Sequence, residues 1–116
     1  MIPEQVLKAL GDTIRLRMVS LLMQRELCVC EIIDCLDLSQ SNASRHLTIL
    51  KHAGVLSGRK QAQWMYYKIS DSLPEELRGY LSRVFAEHSV YAEDQERLKN
   101  CRAVETCGYK TTEKES

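Results

Sequence analysis

The sequence predicts a mainly α domain of about five helices carrying one small β-hairpin, and three observations predict it. Apolar residues recur at helical spacing from the N-terminus to about position 50. After Gly54 the period changes to an alternating, aromatic run, Trp64-Met65-Tyr66-Tyr67-Lys68-Ile69. Helical spacing then returns behind Pro74 and continues to about Leu98.

The elements follow in order. Val6, Leu7 and Leu10 give the first helix its apolar positions, and Gly11-Asp12 breaks it. Asp12 or Thr13 caps a second helix, whose core positions are Ile14, Val19, Leu21 and Leu22. A third begins near Cys28, with Val29, Ile32, Ile33 and Leu36 forming one stripe, and ends around Asp37-Leu38. Ser39 then caps a fourth. Ala43, Leu47 and Leu50 turn inward on it, leaving Ser41, Asn42, Ser44, Arg45 and His46 exposed, and Gly54 stops it. Two short helices joined tightly, the second polar on its outer face, make a helix-turn-helix.

Val55-Leu56 and the Trp64–Ile69 run are expected to be strands, so Ser57 to Gln63 forms a hairpin with a basic tip at Arg59 and Lys60. Such a wing lays its basic residues along phosphates or into a minor groove, which completes a winged helix-turn-helix. Trp64, Tyr66 and Tyr67 are expected to pack into the core rather than stack on bases. Charge supports a nucleic-acid face although the formal net charge is zero. From Ser39 to Lys68 there is no Asp or Glu, while Arg45, Lys51, Arg59, Lys60 and Lys68 are basic. From Asp71 to Glu105 eight acidic residues face five basic ones. The candidate DNA-binding set is Gln40, Ser41, Asn42, Ser44, Arg45, His46, Lys51, Arg59, Lys60 and Gln63, and the partner is double-stranded operator DNA.

Pro74 starts the last helix, Glu75 to about Leu98, with Leu77, Tyr80, Leu81, Val84, Phe85 and His88 on one face. Its surplus of apolar residues predicts a homodimer through terminal helices, as a two-fold symmetric operator requires. Residues 1–98 are thus a DNA-binding and dimerisation domain, and 99–116 a cysteine-containing tail whose end is expected to be disordered.

The chain is 116 residues long, enough for one modest core and too short for a multidomain enzyme. It carries no apolar run of membrane-spanning length and no export signal at its N-terminus, so a soluble, cytoplasmic protein with no membrane partner is expected. Five cysteines in a reducing compartment suit metal or redox chemistry better than a disulfide framework. No phosphate-binding glycine loop, paired catalytic carboxylates or His/Cys/Asn set stands at recognisable spacing, so the chain is not expected to be an enzyme. Cys28-Val29-Cys30, about ten residues before the polar run at Ser39, places a soft-ion site beside a DNA reader. A start-of-helix position favours the thiolate, and two cysteines two apart lie about 200° around a regular helix. Both can hold one ion only if the first turn opens.

Four ordered stretches, Ala9-Leu10-Gly11-Asp12-Thr13-Ile14-Arg15-Leu16-Arg17, Glu26-Leu27-Cys28-Val29-Cys30-Glu31, Gln40-Ser41-Asn42-Ala43-Ser44-Arg45-His46-Leu47 and Trp64-Met65-Tyr66-Tyr67, resemble the ArsR (ArsR/SmtB) family of winged-helix repressors. The resemblance implies a homodimer that binds its operator without metal and releases it when metal binds. Needing no cofactor for DNA binding, it would take As(III) or Sb(III) as inducer, with Cd(II) or Pb(II) as the alternative. Carried over by position, Cys28 and Cys30 are the ligands.

The arsenite pattern commonly has a third cysteine three residues after the second, where this chain has Ile33. Cys35 is displaced, about 10 Å of helical rise from Cys28, too far for two sulfurs each about 2.3 Å from one ion. Cys101 and Cys107 are the preferred further ligands and Cys35 the lesser one. The cadmium branch draws cysteines from an N-terminal extension absent before Met1-Ile2-Pro3, and the zinc branch uses paired Asp/His sets where this helix offers His88 alone. Tetrahedral coordination by Cys28, Cys30, Cys101 and Cys107 stays open, as does a thiol redox-sensing repressor, which would answer peroxide without metal.

Overall fold

Asp12 and Ser39 punctuate the first half of the chain as their positions require. The Asp12 carboxylate accepts from the Arg15 N–H at 3.1 Å and Ser39 Oγ from the Asn42 N–H at 3.1 Å, each satisfying an amide that the helix start leaves open. A computed structural model describes residues 2–101, so Cys107 and the rest of the tail past Cys101 lie outside the described residues. Its elements are α1 (Pro3–Leu10), α2 (Thr13–Leu22), β1 (Leu27–Cys28), α3 (Val29–Leu36), α4 (Gln40–His52), β2 (Leu56–Gln61), β3 (Trp64–Ile69), α5 (Glu75–Glu87) and α6 (Ser89–Lys99).

The core lies where α2, α3 and α4 meet the small sheet. Met18, Val19, Leu21, Leu27, Ile32, Leu47, Leu50 and Val55 are wholly buried there. Ala43, Leu47 and Leu50 turn inward as their spacing predicts. Asp37 in left-handed backbone (φ 55°) ends α3, and the short Asp37–Ser39 link then hands the chain to α4. Gly54, at φ 88°, ends the α4 segment and turns the chain into β2.

The sheet has three antiparallel strands in the order β1-β3-β2. β1 was not expected: Leu27 and Cys28 pair with Tyr67 and Tyr66, so Cys28 belongs to a strand and caps α3 from outside it. The hairpin is also longer and tighter than its sequence predicts. Register runs from Leu56 opposite Ile69 to Gln61 opposite Trp64, leaving Ala62 (φ 56°) and Gln63 as the turn. Arg59 and Lys60 therefore lie within β2 and not at a basic tip. Tyr66 is buried and Tyr67 packs on the core, as expected of a hairpin seated on helices.

The terminal helix departs further from expectation. His88 is extended (φ −119°, ψ 127°) and divides Glu75–Lys99 into α5 and α6, which makes six helices among the described residues. The bend brings Tyr91 onto Phe85, ring centroids 4.7 Å apart, and carries α6 back across α2 and α3. Leu7, expected inward, is 66% exposed; Val6, Ala9 and Leu10 form the buried face of α1 instead. Leu7, Ile2 and Tyr80 are the large exposed hydrophobic residues among those described. They lie on the terminal elements assigned to dimerisation.

Candidate nucleic-acid interface and cysteine site

The polar face of α4 is built by exclusion. With Ala43, Leu47 and Leu50 committed to the core, Gln40, Ser41, Ser44, Arg45 and Lys51 are left exposed and Asn42 half-buried. Asn42 Oδ1 accepts from Arg45 Nη2 at 2.7 Å, holding the guanidinium along the outer face. His46 is a correction: expected exposed, it is 6% exposed, with Nδ1 3.0 Å from Arg15 Nη1. It faces Arg15 rather than the outer face of α4.

Arg59 is a second correction. Its Nε and Nη2 donate to Glu26 at 2.9 and 2.8 Å, Nη1 donates to Gln61 Oε1 at 2.7 Å, and the group lies 4.7 Å from the Tyr66 ring centroid. That bidentate bond holds the Glu26 carboxyl below the usual carboxylate range. The charge that Arg59 was to offer phosphate is thus offset by a residue outside the acidic-free block. Lys60 and Gln63 are exposed on the wing.

The cysteines fall into three environments. Cys28 is 3% exposed at the junction of β1 and α3; its N–H donates to Glu31 Oε1 at 2.9 Å, and Glu31 Oε2 accepts from Arg25 at 3.1 Å. Glu31 thereby closes one half of a capping box on the first turn of α3. Cys30 is half-buried in that turn and lines a cleft of about 430 Å³ with Ile33, Asp34, Gln40, Trp64 and Met65. The cleft joins the first turn of α3 to the first residue of α4 and to the wing.

Cys35 is 2% exposed, its thiol donates to the Asp94 carbonyl at 3.4 Å, and burial followed by the nearby Asp94 charge pushes it up to about 11. It remains a thiol at neutral pH, in keeping with its lesser place among the candidate ligands. Cys101 follows α6, and its Sγ donates to Asp34 Oδ2 at 3.0 Å. Asp34 lies one turn after Cys30 on α3, so the near end of the tail sits on the cysteine-bearing helix. Among the described residues no three His, Cys, Asp or Glu side chains gather closely enough to hold an ion. Cys28, Cys30 and Cys101 are not a ready-made set.

The sequence reading missed the anchor of α6. Arg17 donates through Nε and Nη2 to the fully buried carboxylate of Asp94 at 2.9 and 2.8 Å. Seventy-seven positions separate the two, and Asp94 sits in an acidic block that looks like a solvated face. Among the described residues no helix is long and apolar enough to cross a membrane.

Residues 12–57 match the family described as bacterial regulatory protein, arsR family. The chain is 42% identical over 83 residues to the arsenic resistance transcriptional regulator ArsR1 of Pseudomonas putida, covering 71% of this chain and 65% of that protein, just under two thirds of its length. To ArsR2 of the same organism it is 39% identical over 100 residues, 84% of this chain and 87% of the relative. To a cadmium resistance regulatory protein CadC homolog of Staphylococcus aureus it is 35% identical over 74 residues, 63% and 61% of the two chains. The fold is similar to HlyU from Vibrio cholerae, at a TM-score of 0.67 and 33% identity over 73% of this chain and 92% of that one. It is likewise similar to the homodimeric winged helix-turn-helix domain Mb0332 of Mycobacterium bovis, at a TM-score of 0.62 and 28% identity over 80% of each. On the matched motif and the extent of these likenesses, the chain belongs to the ArsR family of winged helix-turn-helix transcriptional regulators.

Proposed function

We propose that this chain is a homodimeric repressor of a metal(loid)-resistance operon, bound to operator DNA through α4 and the wing, and released when As(III) or Sb(III) is captured by the thiolates of Cys28 and Cys30. The observation that carries the reading is the shared cleft of Cys30, Gln40 and Trp64. Bringing both sulfurs onto one ion draws Cys28 out of β1 or opens the first turn of α3, and either movement disturbs the seat of α4 and the strand on which the wing is built. Two thiols at a helix start suit a soft, thiophilic ion. A three-sulfur set would take its third thiolate from Cys101, which would have to leave Asp34, or from Cys107. The names of the arsenic resistance relatives favour arsenite; that of the CadC homolog keeps a Cd(II) or Pb(II) response as the second reading.

The test is fluorescence anisotropy on a duplex selected from random DNA, titrated in parallel with arsenite, cadmium, zinc and peroxide. Release by arsenite supports the proposal. Release by cadmium without arsenite moves the function to the second reading, and release by peroxide alone moves it to a redox sensor. On the same duplex, Arg45→Ala is expected to weaken binding by about 1–3 kcal/mol with an unchanged melting temperature. Lys60→Ala is expected to lower the salt slope by about one, and Arg59→Ala by less, because Glu26 already offsets that charge.

A further inference from the structure

His46 lies in the middle of the helix assigned to DNA, yet it faces inward. Its Nδ1 is 3.0 Å from Arg15 Nη1. A guanidinium offers five N–H donors and no acceptor, so Nδ1 carries the lone pair and the ring is neutral with its proton on Nε2. Arg15 Nε also donates to the Ala9 carbonyl at 2.6 Å, and Nη2 to that of Lys8 at 3.5 Å, both in the last turn of α1. The Arg15 amide is itself held by Asp12. One side chain thus joins the end of α1, the start of α2 and the middle of α4.

We infer that Arg15 and His46 are positioning residues for DNA binding, the neutral imidazole fixing the seat of α4 against α1 and α2 through its bond to Arg15. The inference rests on α4 being the DNA-facing helix. It gives the buried histidine a part in DNA binding that does not require it to touch DNA.

Protonation turns both ring nitrogens into donors, removes the acceptor and sets a second positive charge beside the guanidinium. Burial disfavours the charged ring first; Asp12 at the start of α2 favours it, while Arg15 on α2 and Arg45 on α4 oppose it, and the ring titrates below the ordinary 6.5. In the unfolded chain the ring takes its proton at about 6.5, whereas the folded pose resists it. The seat of α4 is therefore sound above that value and weakens as pH falls below it. Charge alone acts the other way: an added cation near the DNA face strengthens attraction to phosphate.

The test compares the full chain with His46→Asn, which keeps a neutral acceptor near the Nδ1 position, on the selected duplex from about pH 7.5 to 5.5. The wild type is expected to lose affinity severalfold on acidification, by less than about tenfold because the ring titrates below 6.5, and His46→Asn to bind like the wild type at neutral pH with a flat profile. A wild-type affinity that holds or rises, or an equal fall in His46→Asn, overturns the inference. Nitrogen-15 NMR of the wild-type imidazole reads the tautomer without DNA: an unprotonated Nδ1 is expected, and a proton on Nδ1 overturns the pair. Arg45→Ala separates the two levels. Should it bind normally while the tautomer is as expected, the assignment of α4 to DNA fails, and with it the pair's part in binding.

Discussion

Cys30→Ser is expected to leave operator affinity at its wild-type value and to abolish release by arsenite. Cys30 is half-buried at the first turn of α3, in the cleft it shares with Gln40, and is not itself one of the candidate DNA-binding residues, so serine, nearly the same size, is expected to leave that face in place and to cost little packing. A hydroxyl is a hard donor and does not replace a thiolate toward a soft ion. Useful derepression needs the inducer to weaken operator affinity by about 5- to 150-fold, a coupling of about 1–3 kcal/mol. The inducer can supply it only through a difference in its affinity for the two conformations. With one of two neighbouring sulfurs gone, that difference is lost. Cys35→Ser is the control: the Cys35 thiol is buried, bonded to the Asp94 carbonyl and pushed up to about 11, so release is expected to persist. Anisotropy with and without arsenite checks both variants, and a Cys35→Ser protein deaf to arsenite would move the site from the start of α3 to its buried end.

Asp94→Ala is expected to destabilise the domain by about 3–5 kcal/mol, read from the midpoint of chemical denaturation. Asp94 is fully buried and takes both bonds from Arg17, whose side chain is 17% exposed. Removing the carboxylate strands a guanidinium in a site with little access to water. The same residue accepts the Cys35 thiol at its carbonyl, while Gln95 beside it donates to the Ser20 carbonyl at 3.1 Å, so this segment seats α6 on α2 and α3. A loss below about 1 kcal/mol, the scale of an exposed pair, would contradict that role. Because Cys101 follows α6 directly and rests on Asp34, loosening α6 also loosens the near end of the tail.

Local chemistry explains which features were legible in the sequence. The caps at Asp12 and Ser39, the inward set Ala43, Leu47 and Leu50, and the glycine stop at Gly54 depend on neighbours a few residues away, and the structure has each of them. The features that were not legible depend on distant partners. His46 lies 31 positions from Arg15, Arg59 lies 33 from Glu26, and Arg17 lies 77 from Asp94. Each pairing changes a residue read as exposed or solvated into a structural one. The break at His88 has no glycine or proline to announce it; what it gains is tertiary, the packing of Tyr91 on Phe85 and the burial of Asp94. β1 is two residues long and owes its strand character to Tyr66 and Tyr67 opposite it.

Amide hydrogen exchange across residues 28–36, with and without arsenite, tests the account most directly. The Cys28 N–H is now held by Glu31 at 2.9 Å, and the first turn of α3 is closed on it. The account predicts that arsenite speeds exchange at Cys28 and through that turn while α2 keeps its protection, and that Cys30→Ser shows no such change. Arsenite that releases DNA while the Cys28 amide and the first turn of α3 stay fully protected would contradict it.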